Sequence, residues 1–351
     1  MSSIARYWLP RVVVFVVFAA VVAVFPRFIS DFRELQFGYV AIFFIAILGL
    51  NVLTGYTGQI SLGHGAFMMV GAYTTAILYA DHGVNIYATI PLAALVAGAA
   101  GFVFGFPALR FSPVHLALAT FGLAIAVPAI SRKFVDFTGG SSGKFLPISF
   151  PTGEYLYRLS WGIALGMFVV CWLFLRGRTG RALRAVRDGE IAAMSSGVNL
   201  TLYKTLAFGF SAAFAGVAGS LYGIATVVVS PELFPITLSI LLLTGAVVAG
   251  LGSMSGVVIG ALFAQFVPIY AGGWVGDLFE ALGLGGIVSG EALEKQAPAV
   301  VYGAVLILLM FLLPTGFAGL VRRVAYPLTN RLRRRQIHMP PRPTTPEGEV
   351  E

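Results

Sequence analysis

Charge is what this chain has least of. Only 11% of its 351 residues are Asp, Glu, Lys or Arg, against roughly 25% in an ordinary soluble domain. In contrast, 58% are hydrophobic and the mean hydropathy is +0.88. That balance excludes a soluble globule and places the chain in a bilayer, where length is a poor guide to domain count. Cysteine is nearly absent too. Cys171 stands alone inside an apolar run, which excludes a disulfide framework and reads as a small buried hydrophobe. The net charge is +8, but its basic residues are scattered among loops and a tail. Scatter of that kind speaks for a membrane-flanking role and against a nucleic-acid partner.

Chemistry-bearing groups are missing as well. The apolar stretches contain no Asp, Glu, Lys or Arg at depth, so a proton relay built on titratable side chains has nothing to work with. No carboxylate pair, Cys/His metal spacing or Ser-His-Asp arrangement emerges, and His64 and His115 stand alone in apolar or Gly-rich surroundings. We therefore expect no metal site and no catalytic residue. The nearest approach to a phosphate-binding loop is "GGSSGKF" at 139–145. Its glycines are too close together, and Phe145 stands where that loop needs a hydroxyl.

What is present is length of apolar sequence. A spanning helix needs about 20 mostly apolar residues, and ten candidates lie near 8–26, 36–53, 61–80, 88–106, 113–131, 159–176, 204–228, 236–251, 255–272 and 297–314. The expected fold class is an all-α integral membrane protein, with a transmembrane domain over 1–323 and a tail over 324–351. The tail is basic, then Pro-rich and acidic, and lacks apolar periodicity, which predicts disorder. With the N-terminus inside, sixteen of the 23 Lys and Arg fall on one side of the membrane and seven on the other. The bias predicts both termini in the cytoplasm.

The longest inner loop, 177–203, carries "RALRAVRDGEIAAMSSG". Residues 181–196 are rich in Ala and Arg and place Leu183, Val186, Ile191 and Met194 at helical spacing, which predicts a short amphipathic helix ended by Gly197. Such a helix across the mouth of a transport domain is something an external motor could push.

"EIAAMSSG", Glu190 to Gly197, resembles the EAA loop of permeases in ATP-binding cassette importers. Taken in order with "GLNVLTGYTGQISLGHGAFMMVGAY" at 49–73, "TGGSSG" at 138–143, "LAFGFSAAFAGVAGSLYG" at 206–223 and "GLGSMSGVVIGALF" at 250–263, the chain resembles the LivM-type membrane subunit of branched-chain amino acid importers over roughly 35–323. "LPTGFAGL", Leu313 to Leu320, fits the closing segment of that family. The resemblance implies an importer permease fold in a bacterial inner membrane. It implies as partners a sister permease, two cytoplasmic ATP-binding subunits and an extracytoplasmic substrate-binding protein, with ATP and Mg bound by the ATPases and no cofactor in this chain. It also implies coupling roles for Glu190, Ala192, Ala193 and Gly197. Urea or short amides as cargo, or a stand-alone channel or facilitator, are the alternatives.

On this reading the Gly-rich stretch after Asn51 either lines the pathway or forms a packing turn with capping side chains. Thr54, Tyr56, Thr57, Gln59, Ser61 and His64 would offer uncharged hydrogen bonds to a zwitterionic solute. Gly252, Gly256 and Gly260 form consecutive small-xxx-small steps, as do Gly101 with Gly105 and Gly219 with Gly223. Helix packing is the role expected for them, with the sister subunit as one neighbour for the 252–260 face. The loop 131–158, by its side and length, is where a binding protein would dock.

Overall fold

The computed structural model describes residue 13, residues 16–108, 113–149 and 152–281, and single positions between 303 and 319. In chain order the helices are α1 (Val16–Phe28), α2 (Asp31–Thr57), α3 (His64–Ala80), α4 (Ile86–Ala108), α5 (Pro113–Ser131), the one-turn α6 (Val135–Thr138), α7 (Gly153–Arg176), α8 (Arg178–Asp188), α9 (Glu190–Ser195), α10 (Leu200–Thr226), α11 (Ile236–Ala249) and α12 (Val257–Ala281). The all-α expectation needs one small amendment. Strands β1 (Lys144–Phe145) and β2 (Val228–Val229) pair antiparallel, with Lys144 opposite Val229.

Two helices form the centre. Asp31 and Glu34 lie in the first turn of α2, where the positive end of the helix dipole favours carboxylates. From Val40 to Thr57 every residue of α2 is buried, the burial expected of a helix that is apolar on all sides. Within its most apolar window α2 is 89% buried and α10 is 83%, against 33% for α4 and 28% for α7. The last two are therefore the wall. Their outward side chains, among them Leu95, Val103, Phe106, Val170 and Leu173, are exposed and apolar, a surface that only a hydrocarbon environment tolerates at this extent.

Close backbone approach holds the centre together, because helices in lipid associate by packing rather than by hydrophobic burial. A Cβ at Gly71 of α3 would fall on the backbone of Gly216 in α10, and one at Gly219 on the Met68 carbonyl of α3. On the other side of α10, Gly216 packs on Ala93 and Ala97 of α4, Gly101 on Ala212, and Gly105 on Phe208. A hydroxyl pair, Thr75 with Ser220 at 2.6 Å, adds a polar tie between α3 and α10.

Among the described residues, five helices are long and apolar enough to cross a membrane: α2, α4, α7, α10, and α11 with its preceding turn. A sixth is available if α5 is joined to the 135–142 segment, which leaves it at 90°. The helix α3 has 17 residues, about 26 Å at 1.5 Å per residue and short of a hydrocarbon core of about 30 Å. The helix α12 has 25 residues, the length of a spanning helix. The expected span 297–314 and the tail 324–351 lie outside the described residues, apart from single positions in the former.

A second correction concerns 181–196. The amphipathic helix begins earlier, at Arg178, and is two helices, α8 and α9, divided at Gly189. There the chain extends (φ 176°, ψ 109°), and the Gly189 N–H closes α8 on the Ala185 carbonyl. The apolar spacing of Leu183, Val186, Ile191 and Met194 runs across the break, which is why it reads as one helix. Their burial does not, because Leu183 and Val186 are buried whereas Ile191 and Met194 face out.

Candidate functional site

The polar stretch after Asn51 is where α2 ends and α3 begins. Gly58 takes a left-handed conformation (φ 75°) and stops α2, its N–H bonded to the Thr54 carbonyl and that of Gln59 to the Leu53 carbonyl. Glycine adopts that φ without the penalty a Cβ brings. The chain then runs without helix to Gly63. A side chain from α5 holds this non-helical piece, and one from α11 holds the first turn of α3 that follows it. Leu62 N–H donates to Thr120 Oγ1 at 2.9 Å, and Gly65 N–H donates to Ser239 Oγ at 2.9 Å. Irregular backbone in a membrane protein must be satisfied in this way, by protein or by a wet cavity.

The six polar residues singled out from sequence all lie at this connection, and all are buried. Four already have partners. Thr57 Oγ1 donates to the Leu53 carbonyl, Ser61 Oγ accepts from Gly63 N–H at 3.3 Å, and His64 Nε2 sits 3.0 Å from the Ala46 carbonyl, pinning α3 to α2. Tyr56 is likewise engaged. Thr54 Oγ1 and Gln59 Nε2 are buried with no hydrogen-bond partner among the described residues. Buried polar atoms are normally paired, so these two have bonding capacity left for a solute or water.

The loop side chains form a second cluster. Glu190 opens α9, and its Oε1 lies 2.7 Å from Lys204 Nζ of α10. With the Glu190 side chain half exposed, this pair contributes little to stability. Ala193 is buried against the rest of the protein, whereas Ala192 is exposed. Gly197 ends the turn at φ 81°, with open space around the position a Cβ would take. Beside them Ile191 is 78% exposed and Met194 53%. Two apolar side chains are thus presented outward on one short helix, a surface suited to a protein partner.

The three glycines 252, 256 and 260 do not form one helical stripe. Gly252 lies in the turn after α11 at φ 80°, Gly256 precedes the first residue of α12, and Gly260 alone is helical. All three pack inside this chain: Gly252 against Gly55, Gly256 against the Ala249 carbonyl, and Gly260 against Gly245 of α11. That face is therefore occupied internally. On the 131–158 loop, Lys144 pairs with Asp81 and Arg132 with Glu232, while Phe134, Phe137 and Phe145 are exposed.

Sequence reasoning missed the residues that lock these pieces together. Asn51, 1% exposed, donates from Nδ2 to the Ser253 carbonyl at 2.9 Å and accepts the Gly252 N–H on Oδ1 at 2.8 Å. The available signal was an amide in the middle of an apolar run. Arg187 Nη1 donates to the Gly55 carbonyl at 2.8 Å. It was one of several loop arginines, and nothing local set it apart.

Apolar helices packed through glycine contacts, an interrupted α2–α3 connection and an amphipathic loop define a multi-pass membrane protein. The chain belongs to the family described as branched-chain amino acid transport system / permease component, whose model matches residues 35–315. It is 35% identical over 252 residues to the high-affinity branched-chain amino acid transport system permease protein LivM of Salmonella typhimurium, a match covering 63% of this chain and 59% of that protein. To LivM of Escherichia coli it is 34% identical, with the same coverage. To the permease protein LivH of Escherichia coli it is 26% identical over 296 residues, covering 78% of this chain and 89% of that one. The matched part thus spans about three fifths of the length of the LivM relatives.

Proposed function

We propose that the chain is the membrane-spanning, non-catalytic permease subunit of an ATP-binding cassette importer for branched-chain or related hydrophobic amino acids. Its partners are a sister permease, two cytoplasmic ATP-binding subunits that hold the ATP and Mg, and an extracytoplasmic substrate-binding protein. It sits in a bacterial inner membrane with both termini in the cytoplasm, and α1, α3, α5, α12 and the segment 297–314 complete the ten spans. The likeness to LivM and LivH, each named a high-affinity branched-chain amino acid transport system permease protein, carries this reading.

The geometry supports a division of labour. Glu190, Ala192, Ala193 and Gly197 lie on or beside the outward-facing α9, where the ATPases would seat. Thr54, Tyr56, Thr57, Gln59, Ser61 and His64 lie at the α2–α3 connection, which would line the solute route. Uncharged hydrogen-bonding groups suit a passage that binds weakly while a separate protein selects the cargo.

The test is uptake of radiolabelled leucine into proteoliposomes holding the complete complex, with ATP inside and the loaded binding protein outside. Uptake should require ATP and be competed by isoleucine and valine but not by urea. Competition by urea alone would replace the cargo assignment. Flux through the purified chain without ATP or partners would replace the importer reading with a channel. Within the complex, Gly197→Asp should abolish uptake. It imposes φ 81° on a residue with a Cβ, at a cost of order 1–3 kcal/mol, and puts a new carboxylate on the face the ATPase would cover. Parental uptake by this variant would remove Gly197 from the coupling surface.

A further inference from the structure

The end of the molecule that carries α8 joins the loop to the α2–α3 connection through one side chain. Arg187, in the last turn of α8, reaches the Gly55 carbonyl in the last turn of α2. Carbonyls at a helix C-terminus lack intrahelical donors and carry the negative end of the dipole, so a guanidinium is a fitting cap. Here the N–H four residues on, that of Gln59, is turned back to Leu53, which leaves the Gly55 carbonyl to Arg187.

The far side of Gly55 is closed as well. A Cβ there would fall on the Gly252 nitrogen, and a Cβ at Gly252 would lie 3.1 Å from the Gly55 oxygen and 3.2 Å from Arg187 Nη1. Asn51, one turn earlier in α2, clamps the same turn with its two hydrogen bonds. Gly316 (φ 65°) backs the turn in its place, since a Cβ there would come 2.5 Å from the Gly250 Cα. Three segments remote in sequence, the end of α2, the end of α8 and the turn after α11, therefore meet at the Arg187 guanidinium, whose outer side is exposed and paired with Asp188.

Resting on the transport reading above, we infer that Arg187 is the residue through which a displacement of α8 reaches the α2–α3 connection. It is a positioning residue of the transport cycle that acts through the C-terminus of α2 and does not touch the solute. Gly180 packs on the Leu175 backbone of the adjoining α7; the other buried side chains of α8, Ala182, Leu183 and Val186, are apolar and can slide, whereas a charge-assisted hydrogen bond has direction. The α9 attachment, Glu190 to Lys204, has its carboxylate half exposed and runs to α10, not to α2. The Arg187 bond links the loop directly to the backbone that carries Thr54 and Gln59 on either side of Gly55.

The test is a comparison of parent, Arg187→Ala, Arg187→Lys and Arg184→Ala in the complete complex in proteoliposomes, with leucine uptake and ATP hydrolysis measured on the same samples. For Arg187→Ala, leucine carried per ATP hydrolysed should fall about tenfold, the effect of losing one hydrogen bond to a charged group. Arg187→Lys, which keeps a cationic donor, should be intermediate, and Arg184→Ala, exposed one turn away, should match the parent. A merely structural role would lower uptake and hydrolysis together and leave their ratio unchanged; that result, or a parental ratio in Arg187→Ala, overturns the inference. If Arg187→Ala yields no complex, the ratio for Arg187→Lys decides in the same way. A parent complex that hydrolyses ATP and carries no leucine would instead overturn the transport reading on which the inference rests.

Discussion

Replacing Gly71 by valine is expected to prevent the protein from reaching its folded state. The Cβ would land on the Gly216 backbone of α10, and backbone cannot move aside as a flexible side chain can. Relief requires separating α3 from α10, and α10 cannot retreat because Gly216 is itself pressed on the Ala93 carbonyl of α4. Overpacking of a well-packed core costs about 1–3 kcal/mol when side chains can adjust, so a backbone collision shared by three helices should exceed the upper end of that range. Yield of monodisperse protein in mild detergent and loss of the thermal transition are the readouts. Gly162 and Gly166 of α7 serve as controls, since nothing lies within 4 Å of a Cβ at either. Alanine there should be neutral or stabilise by up to about 1 kcal/mol. Parental yield and melting for Gly71→Val would mean that α3 and α10 are not in contact as described.

The next largest effect belongs to Asn51. Its amide satisfies the Gly252 N–H and the Ser253 carbonyl together, in a site with 1% exposure. Removing the side chain leaves both backbone groups buried and unpaired, at about 1–3 kcal/mol each. Asn51→Leu refills the volume and should lose nearly as much stability as Asn51→Ala, which separates hydrogen bonding from packing. Equilibrium unfolding in SDS measures both. Parental stability in Asn51→Leu would show that the 250–256 turn is held by something other than this amide.

These two sites also show where sequence reading succeeds and where it stops. Gly101, Gly105, Gly219 and Gly223 recur at helical spacing in apolar runs, and that local pattern already marks contact faces. Gly58 and Gly197 follow helical runs and end them, again a local property. Gly252, by contrast, has the same four-residue spacing to Gly256, yet it is a turn residue, because its φ of 80° is set by contact with Gly55 and Asn51, about 200 positions away. The break at Gly189 escapes notice because the apolar spacing continues through it while the packing partner changes. Among the polar residues of the α2–α3 connection, composition identifies the stretch but not which groups are already bonded. Only the fold separates His64 and Thr57, which are satisfied, from Thr54 and Gln59, which are not.

The central claim, that this chain works as one subunit of an ATP-driven importer, is tested most directly by what accompanies it out of the membrane. The chain is tagged, extracted from its native membrane in mild detergent under conditions that keep a known membrane complex intact, and its companions are identified by mass spectrometry. Recovery of a P-loop ATPase and a second multi-helix permease, both diminished by Gly197→Asp, is the predicted result. Recovery of the chain alone, folded and monodisperse, would contradict the account.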